Sequence, residues 1–426
     1  MGKSALTSPA NLPTTVGTLV ANGYRARSVK VEIQENLLEK LRSASVTLPG
    51  IVGFEETVGP AVERALLAGH DFVLLGERGQ GKTRLIRSLI NLLDEWSPHV
   101  TGCHISDEPT APICVRCIAL ASELGDQLPI SWRHRSERYG EKLATPDTSV
   151  GDLIGDIDPI KVAEGRSLGD PETIHYGLIP RTNRGRIITP LKDRFGAEIR
   201  THYPLDLQLE IELIKQEAAI QAVIPQHMLD VVARFTSLVR ESSYVDQRSG
   251  VSARFSIACV EELSGAALRR AAINGDSEPV VRIGDLEDVV ASLRGKVEFE
   301  VSQEGSEVEI LTLLARQATA ASWRALLGGQ STRVFLTNLV DWFDAGNTLA
   351  TSDLMSSASI LEAIGPMEGV GPLLTATEVQ MAESPGLVAS CLEFAAEGLW
   401  LTRRIDKDQQ DGTSTYGSSV TEVPEL

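Results

Sequence analysis

Apolar residues at Val29, Ile33, Leu37, Leu38 and Leu41 recur every three or four positions, the spacing that gives a helix one buried face. An amphipathic helix is therefore predicted over 29–43, and Pro49-Gly50 breaks the pattern. "IVGFEETVGPAVERALLAGH" reads as a loop and a helix leading into "DFVLLG", a short apolar run suited to a buried strand. A further helix is expected through "KTRLIRSLINLLDEW" as far as Ser97-Pro98. Residues 99–150 are loop-rich around a β-like piece, "LPISWRH" (128–134), and 151–187 are rich in Gly, Asp and Pro. "AEIRTHYPL" (197–205) alternates like a strand. The helical period returns from 207 to about 293, with a small strand expected at "PVVRI", and continues as a separate segment over 298–403. "DKDQQDGTSTYGSSVTEVPEL" has almost no apolar content and is expected to be disordered. The chain thus divides into a helical preface (1–48), an α/β core with a cysteine-containing insertion (49–206), two helical segments (207–297 and 298–403) and a tail (404–426).

Where the apolar strand meets the next helix, Gly76, Gly81, Lys82 and Thr83 fit G-x-x-x-x-G-K-[ST]. Glycines let a backbone wrap closely around phosphates with its N–H groups pointing inward. The candidate nucleotide-binding residues are Gly76, Glu77, Arg78, Gly79, Gln80, Gly81, Lys82, Thr83 and Arg84. In this pattern Lys82 neutralises the β and γ phosphates and Thr83 ligates magnesium through its hydroxyl.

Hydrolysis needs a second element, an apolar strand ending in acidic residues that hold magnesium and polarise water. "LINLLDEW" carries Asp94 and Glu95, but on the expected helix Asp94 lies about 18 Å beyond Lys82 at ~1.5 Å per residue. "TNLVDWF" (337–343) has its Trp and Phe at core spacing, and Asp285 in "VVRIGDLEDV" suits a helix cap. No stretch qualifies.

Charge and cysteine content narrow the setting. A net charge of −18 opposes nucleic acid and anionic membranes as partners. No run of eighteen apolar residues spans a bilayer, and "MGKSALTSPANLP" lacks the apolar stretch of a secretory signal. Five cysteines in a chain of 426 residues point to a reducing cytoplasm. Cys103, Cys114 and Cys117 with His104, near His99, have spacing that could complete a four-ligand zinc site; reduced thiols in a loop are the other reading.

The stretches "PGIVGFEETVGPAVERALLAGHDFVLLGERGQGKTRLIRSL", "SVGDLIGDIDPIKVAEGRSLGDPETIHYGLIPRTNRG", "ITPLKDRFG" and "GVSARFS" resemble the magnesium chelatase ATPase subunit and its MoxR-like relatives, which are AAA+ proteins. The resemblance covers about 50–295. It implies a P-loop AAA+ three-layer α/β/α core, a helical lid over 207–297, ATP with Mg2+, and a ring, commonly a hexamer, acting on a partner with a von Willebrand A-type domain. It implies roles for Arg194 as a finger reaching a neighbouring subunit and for Arg254 as the lid arginine. It also implies a gap: between Asn183 and Pro190 the family's acidic strand and sensor-Asn strand are missing, so the central sheet is expected to be incomplete and hydrolysis doubtful. Two function classes follow, an ATPase that remodels a partner protein and a nucleotide-binding regulatory or assembly subunit without turnover. No Asn-Lys-x-Asp guanine signature is present.

Overall fold

The helix expected over 29–43 runs Val29–Arg42, with the Ser28 hydroxyl accepting from the Val31 N–H and Lys40 and Arg42 in its last turn. The computed structural model describes residues 11–143, 145–165, 173–182, 196–379, 384–410 and 412–419. It divides into two units, Met1–Leu75 with Gly81–Arg200, and Gly76–Gln80 with Thr201–Leu426.

In the first unit β1 (Phe72–Leu75) pairs in parallel with β6 (Ala197–Arg200), in the register Phe72↔Ala197 to Leu75↔Arg200. Val58, Val62 and Ala65 of helix Val58–Leu67, with Leu85 and Ile199, form the core against this pair. Among the described residues the pair is a two-stranded sheet. The other strands of this unit form two antiparallel pairs, β2 (Trp96–Val100) with β3 (Ile130–His134) and β4 (Gly155–Ile157) with β5 (Ile174–Tyr176). Among the described residues the chain is thus mixed α and β with small sheets. The region between Asn183 and Pro190 lies outside the described residues.

One expectation is corrected here. The helix after the glycine loop ends at Ser88, passes through a 3₁₀ turn at Leu89–Leu92, and gives way to β2. Its end is pinned: Asn36 Nδ2 donates to the Leu92 carbonyl (3.0 Å), and the Asp94 N–H donates to Glu32 Oε1 (2.8 Å). Pro98 also has no N–H with which to extend a helix. Residues 11–48 make their own contacts with the rest of the first unit. Thr15 bridges Pro129, Trp132 Nε1 donates to the Pro13 carbonyl (2.7 Å), and buried Glu32 takes both Arg138 Nη atoms.

The second unit has one continuous core. Helices Gln226–Glu241 and Glu307–Leu327 pack together, and Phe235, Phe255, Leu311, Phe343 and Phe394 share one cluster. This cluster draws residues from both 207–297 and 298–403. "PVVRI" makes only an isolated bridge, Val223↔Val280. The expected disordered tail is instead β8 (Ile405–Gln410) and β9 (Thr413–Ser418), which with β7 (Leu349–Ser352) form a three-stranded antiparallel sheet ordered β7-β9-β8.

His227 lies in this core, fully buried and stacked on Phe394 with ring centroids 4.8 Å apart. Ser390 Oγ donates to the Val281 carbonyl (2.8 Å), so His227 Nε2 is the donor in its 3.1 Å contact with that hydroxyl. Nδ1 is left bare and unpartnered, and burial pushes the imidazole pKa down to about 3. Below pH 6.5 the unfolded chain takes a proton that the native state refuses. Stability should then fall by about 1.4 kcal/mol per pH unit between pH 6.5 and about 3. Urea unfolding at pH 7 and pH 5 checks this, and His227→Gln should flatten the slope by about 2 kcal/mol over that interval.

Candidate phosphate-binding loop

β1 delivers the chain to Gly76, and Gly81 sits in the left-handed region (φ +69°) as N-cap of helix Lys82–Ser88. The boundary between the two units runs through this loop, with Gly76–Gln80 in the second unit and Gly81 onward in the first. Gly79 is constrained most: at φ +73° an added Cβ would lie 2.2 Å from Ser252 Oγ and 2.4 Å from its Cα.

Within the second unit, residues 76–80 are fixed from several sides. The buried Gln80 carboxamide accepts from the Glu77 N–H (3.0 Å) and from Thr201 Oγ1 (2.7 Å). Tyr203 OH donates to the Arg78 carbonyl (2.9 Å), and Arg78 Nη1 pairs with Glu298 Oε1 at the surface (2.8 Å). Burial and the neighbouring Glu77 hold the Tyr203 hydroxyl well above its ordinary pKa, so it remains a donor. The Arg240 guanidinium lies 4.5 Å from the Tyr203 ring centroid and is clamped by Glu210 at 2.6 and 3.2 Å. Ser256 Oγ donates to the same carboxylate (2.6 Å). Glu210, Arg240 and Tyr203 carry no motif and were missed by sequence reasoning. Their side chains meet across separations that no local pattern reports.

Within the first unit, Leu85 anchors the helix in the core, leaving Lys82 half-buried and Thr83 exposed. Arg84 Nε donates to the Gly50 carbonyl (2.6 Å).

Asp94 lies between the 3₁₀ turn and β2 and not on a helix, and its carboxylate is engaged. It pairs with Arg27, and Asn36 Nδ2 donates to its Oδ1 (2.9 Å). Asp341 lies on the exposed side of helix Arg333–Asp344, whose Leu339 and Phe343 are buried. Asp285 is buried and paired with Arg270. Arg254 opens helix Arg254–Asn274 with an exposed side chain, two residues beyond the Ser252 that packs on Gly79. Arg194 lies outside the described residues.

Cys103, Cys114 and Cys117 lie close together, and His104 is not within the same cluster. Asp107 is beside them, and one side-chain donor atom from each of the four residues lies within 4.8 Å of the others.

No protein-family model matches the chain, and no solved structure matches it significantly. Among characterised proteins it is similar to the Holliday junction branch migration complex subunit RuvB of Staphylococcus saprophyticus, 32% identical over 152 residues. That match takes in 35% of this chain and 43% of the relative's length. Among the described residues no helix is long and apolar enough to cross a membrane. The similarity supports the AAA+ superfamily, and no narrower family within it.

Proposed function

We propose that this chain is an AAA+-type protein that binds ATP with Mg2+ through residues 76–83 and passes nucleotide-dependent changes of shape to a protein partner. One observation carries the reading: G-x-x-x-x-G-K-T stands between a strand and a helix, with Gly76, Gly79 and Gly81 all at positive φ. Lys82 neutralises the β and γ phosphates, and the Thr83 hydroxyl ligates magnesium. The motifs shared with the magnesium chelatase ATPase subunit and MoxR-like proteins favour that type, working as a ring on a von Willebrand A-domain partner. In such a ring Arg194 would serve the neighbouring subunit's nucleotide and Arg254 its own.

A reading without turnover is favoured by the state of Asp94, whose carboxylate already serves Arg27 and Asn36. Phosphate release by the purified chain with ATP and Mg2+ separates the two. The binding claim itself is tested by calorimetric titration of ATP–Mg2+ into wild type and Lys82→Ala. Loss of a charge-assisted contact should weaken binding about 10- to 100-fold, at about 1.5–3 kcal/mol. ATP at a hundred times the wild-type Kd should also stabilise the wild-type protein by about 2.7 kcal/mol and the variant by only about 0.4–1.4 kcal/mol. An equal dissociation constant for both proteins would overturn the proposal.

A further inference from the structure

The first unit contains a small annex that its own apolar core does not explain. Val100, Cys117 and Leu128 are the buried members of this cluster, with Val16, Leu120 and Ala121 only partly buried around them. A core of that size is far below what holds a subdomain without a staple. At its centre are three thiols and a carboxylate.

Each donor is placed by backbone contacts. Cys103 and Ser106 form a tight turn, with the Ser106 N–H donating to the Cys103 carbonyl (3.2 Å) and Ser106 at φ +50°. That turn brings Asp107 back beside β2, where the Val100 N–H donates to the Asp107 carbonyl (2.9 Å). The Asp107 side chain is 1% exposed, and its Oδ2 accepts from the N–H groups of Ile113 and Cys114, both at 2.8 Å. Cys114 caps helix Val115–Leu124, and its sulfur accepts from the Cys117 N–H (3.3 Å). Cys103 Sγ and Cys114 Sγ are 3.9 Å apart. Two thiolates bound to one tetrahedral zinc at about 2.3 Å lie about 3.8 Å from each other, whereas a disulfide holds its sulfurs at about 2.05 Å.

We propose that Cys103, Asp107, Cys114 and Cys117 bind one structural Zn2+ that staples the turn after β2 to helix Val115–Leu124. Three thiolates select a soft or borderline divalent ion, and four protein ligands leave no open position for catalysis. Binding releases the three thiol protons to solvent and involves no redox change. The site carries a net charge of −2 with the metal bound. Arg116, whose Nη1 donates to the Gly102 carbonyl (2.7 Å), supplies nearby positive charge. This inference does not depend on nucleotide binding.

The test uses the full chain, purified under reducing conditions. Element-resolved mass spectrometry should find one zinc per chain in wild type and little in Cys103→Ser or Cys117→Ser. Asp107→Asn retains an oxygen for the two amides but lacks the anionic ligand. It should keep its fold by circular dichroism yet lose zinc to a chromogenic chelator at least tenfold faster than wild type. Should a cysteine variant fail to fold, Co2+-exchanged wild type decides: thiolate-to-cobalt charge-transfer absorption and tetrahedral d–d bands are expected. Wild type without zinc, a Cys103–Cys114 disulfide in its place, octahedral cobalt spectra, or Asp107→Asn with wild-type zinc release would each overturn the assignment.

Discussion

Ending the chain at Arg404 is expected to leave the second unit without a cooperative fold. β8 and β9 place Ile405 and Tyr416, each 1% exposed, into the shared core. Withdrawing a large side chain from such a core costs about 3–5 kcal/mol for an aromatic and about 2–5 kcal/mol for Ile. The same deletion strips Glu397, itself 5% exposed, of both its partners. Lys407 Nζ pairs with Glu397 Oε2 at 3.0 Å, and Tyr416 OH donates to the same oxygen. A buried carboxylate left alone costs about 3–5 kcal/mol more. These losses are on the order of the 5–15 kcal/mol that stabilises a whole domain. Thermal unfolding followed by circular dichroism should show a sharp transition in the full chain and a broad or absent one after truncation. Tyr416→Ala should fall between, losing about 3–5 kcal/mol in urea. A truncated chain that melts at the full-length temperature would show that β8 and β9 are an ornament.

That tail also shows why parts of the fold were invisible in the sequence. Its inward positions include Ile405, Lys407 and Tyr416, and a count of apolar residues sees two sparse hydrophobes in a polar stretch. Lys407 is inward because its stem is buried and its ammonium lies 4.7 Å from the Trp400 ring centroid and against Glu397. One tie between residues 29–42 and the rest of the first unit is hidden for a related reason: the Glu32–Arg138 pair joins two charged residues 106 positions apart. Leu89, Ile90, Leu92 and Leu93 fit an α-helix as well as the 3₁₀ turn that forms, and the choice is made by Asn36 and Glu32 from another helix. What was legible is local. The helix at 29–42 follows its apolar spacing, and the strand before the glycine loop and the helix after it follow theirs. Asp107 was hidden because its approach to the thiols of Cys103, Cys114 and Cys117 depends on the Ser106 turn, which no ligand-spacing rule encodes.

Arg270→Met should destabilise the second unit by about 3–5 kcal/mol, although the new side chain is apolar and of similar length. Arg270 and Asp285 are 3% and 1% exposed at their side chains. Both guanidinium Nη atoms reach the carboxylate, one to Oδ1 and the other to Oδ2 at 3.1 Å, and Nη2 also donates to the Val280 carbonyl. Asp285 Oδ2 in turn accepts from the Arg282 N–H (2.8 Å) at the start of helix Gly284–Leu293. Removing the guanidinium therefore leaves a buried anion with one amide bonded to it and only the neighbouring Arg282 to offset its charge, and deprives Val280 of a donor. The cost comes mainly from that stranded charge, and a second substitution can expose it. Asp285→Asn keeps an oxygen for the Arg282 N–H but carries no charge, so Arg270→Met with Asp285→Asn should recover more than half of the loss. Urea unfolding of wild type, both single variants and the double variant closes the cycle, with a coupling of about 2 kcal/mol or more expected for groups in direct contact. Additive single losses would mean that Arg270 acts by filling space, and its charge would then have no part in holding the unit together.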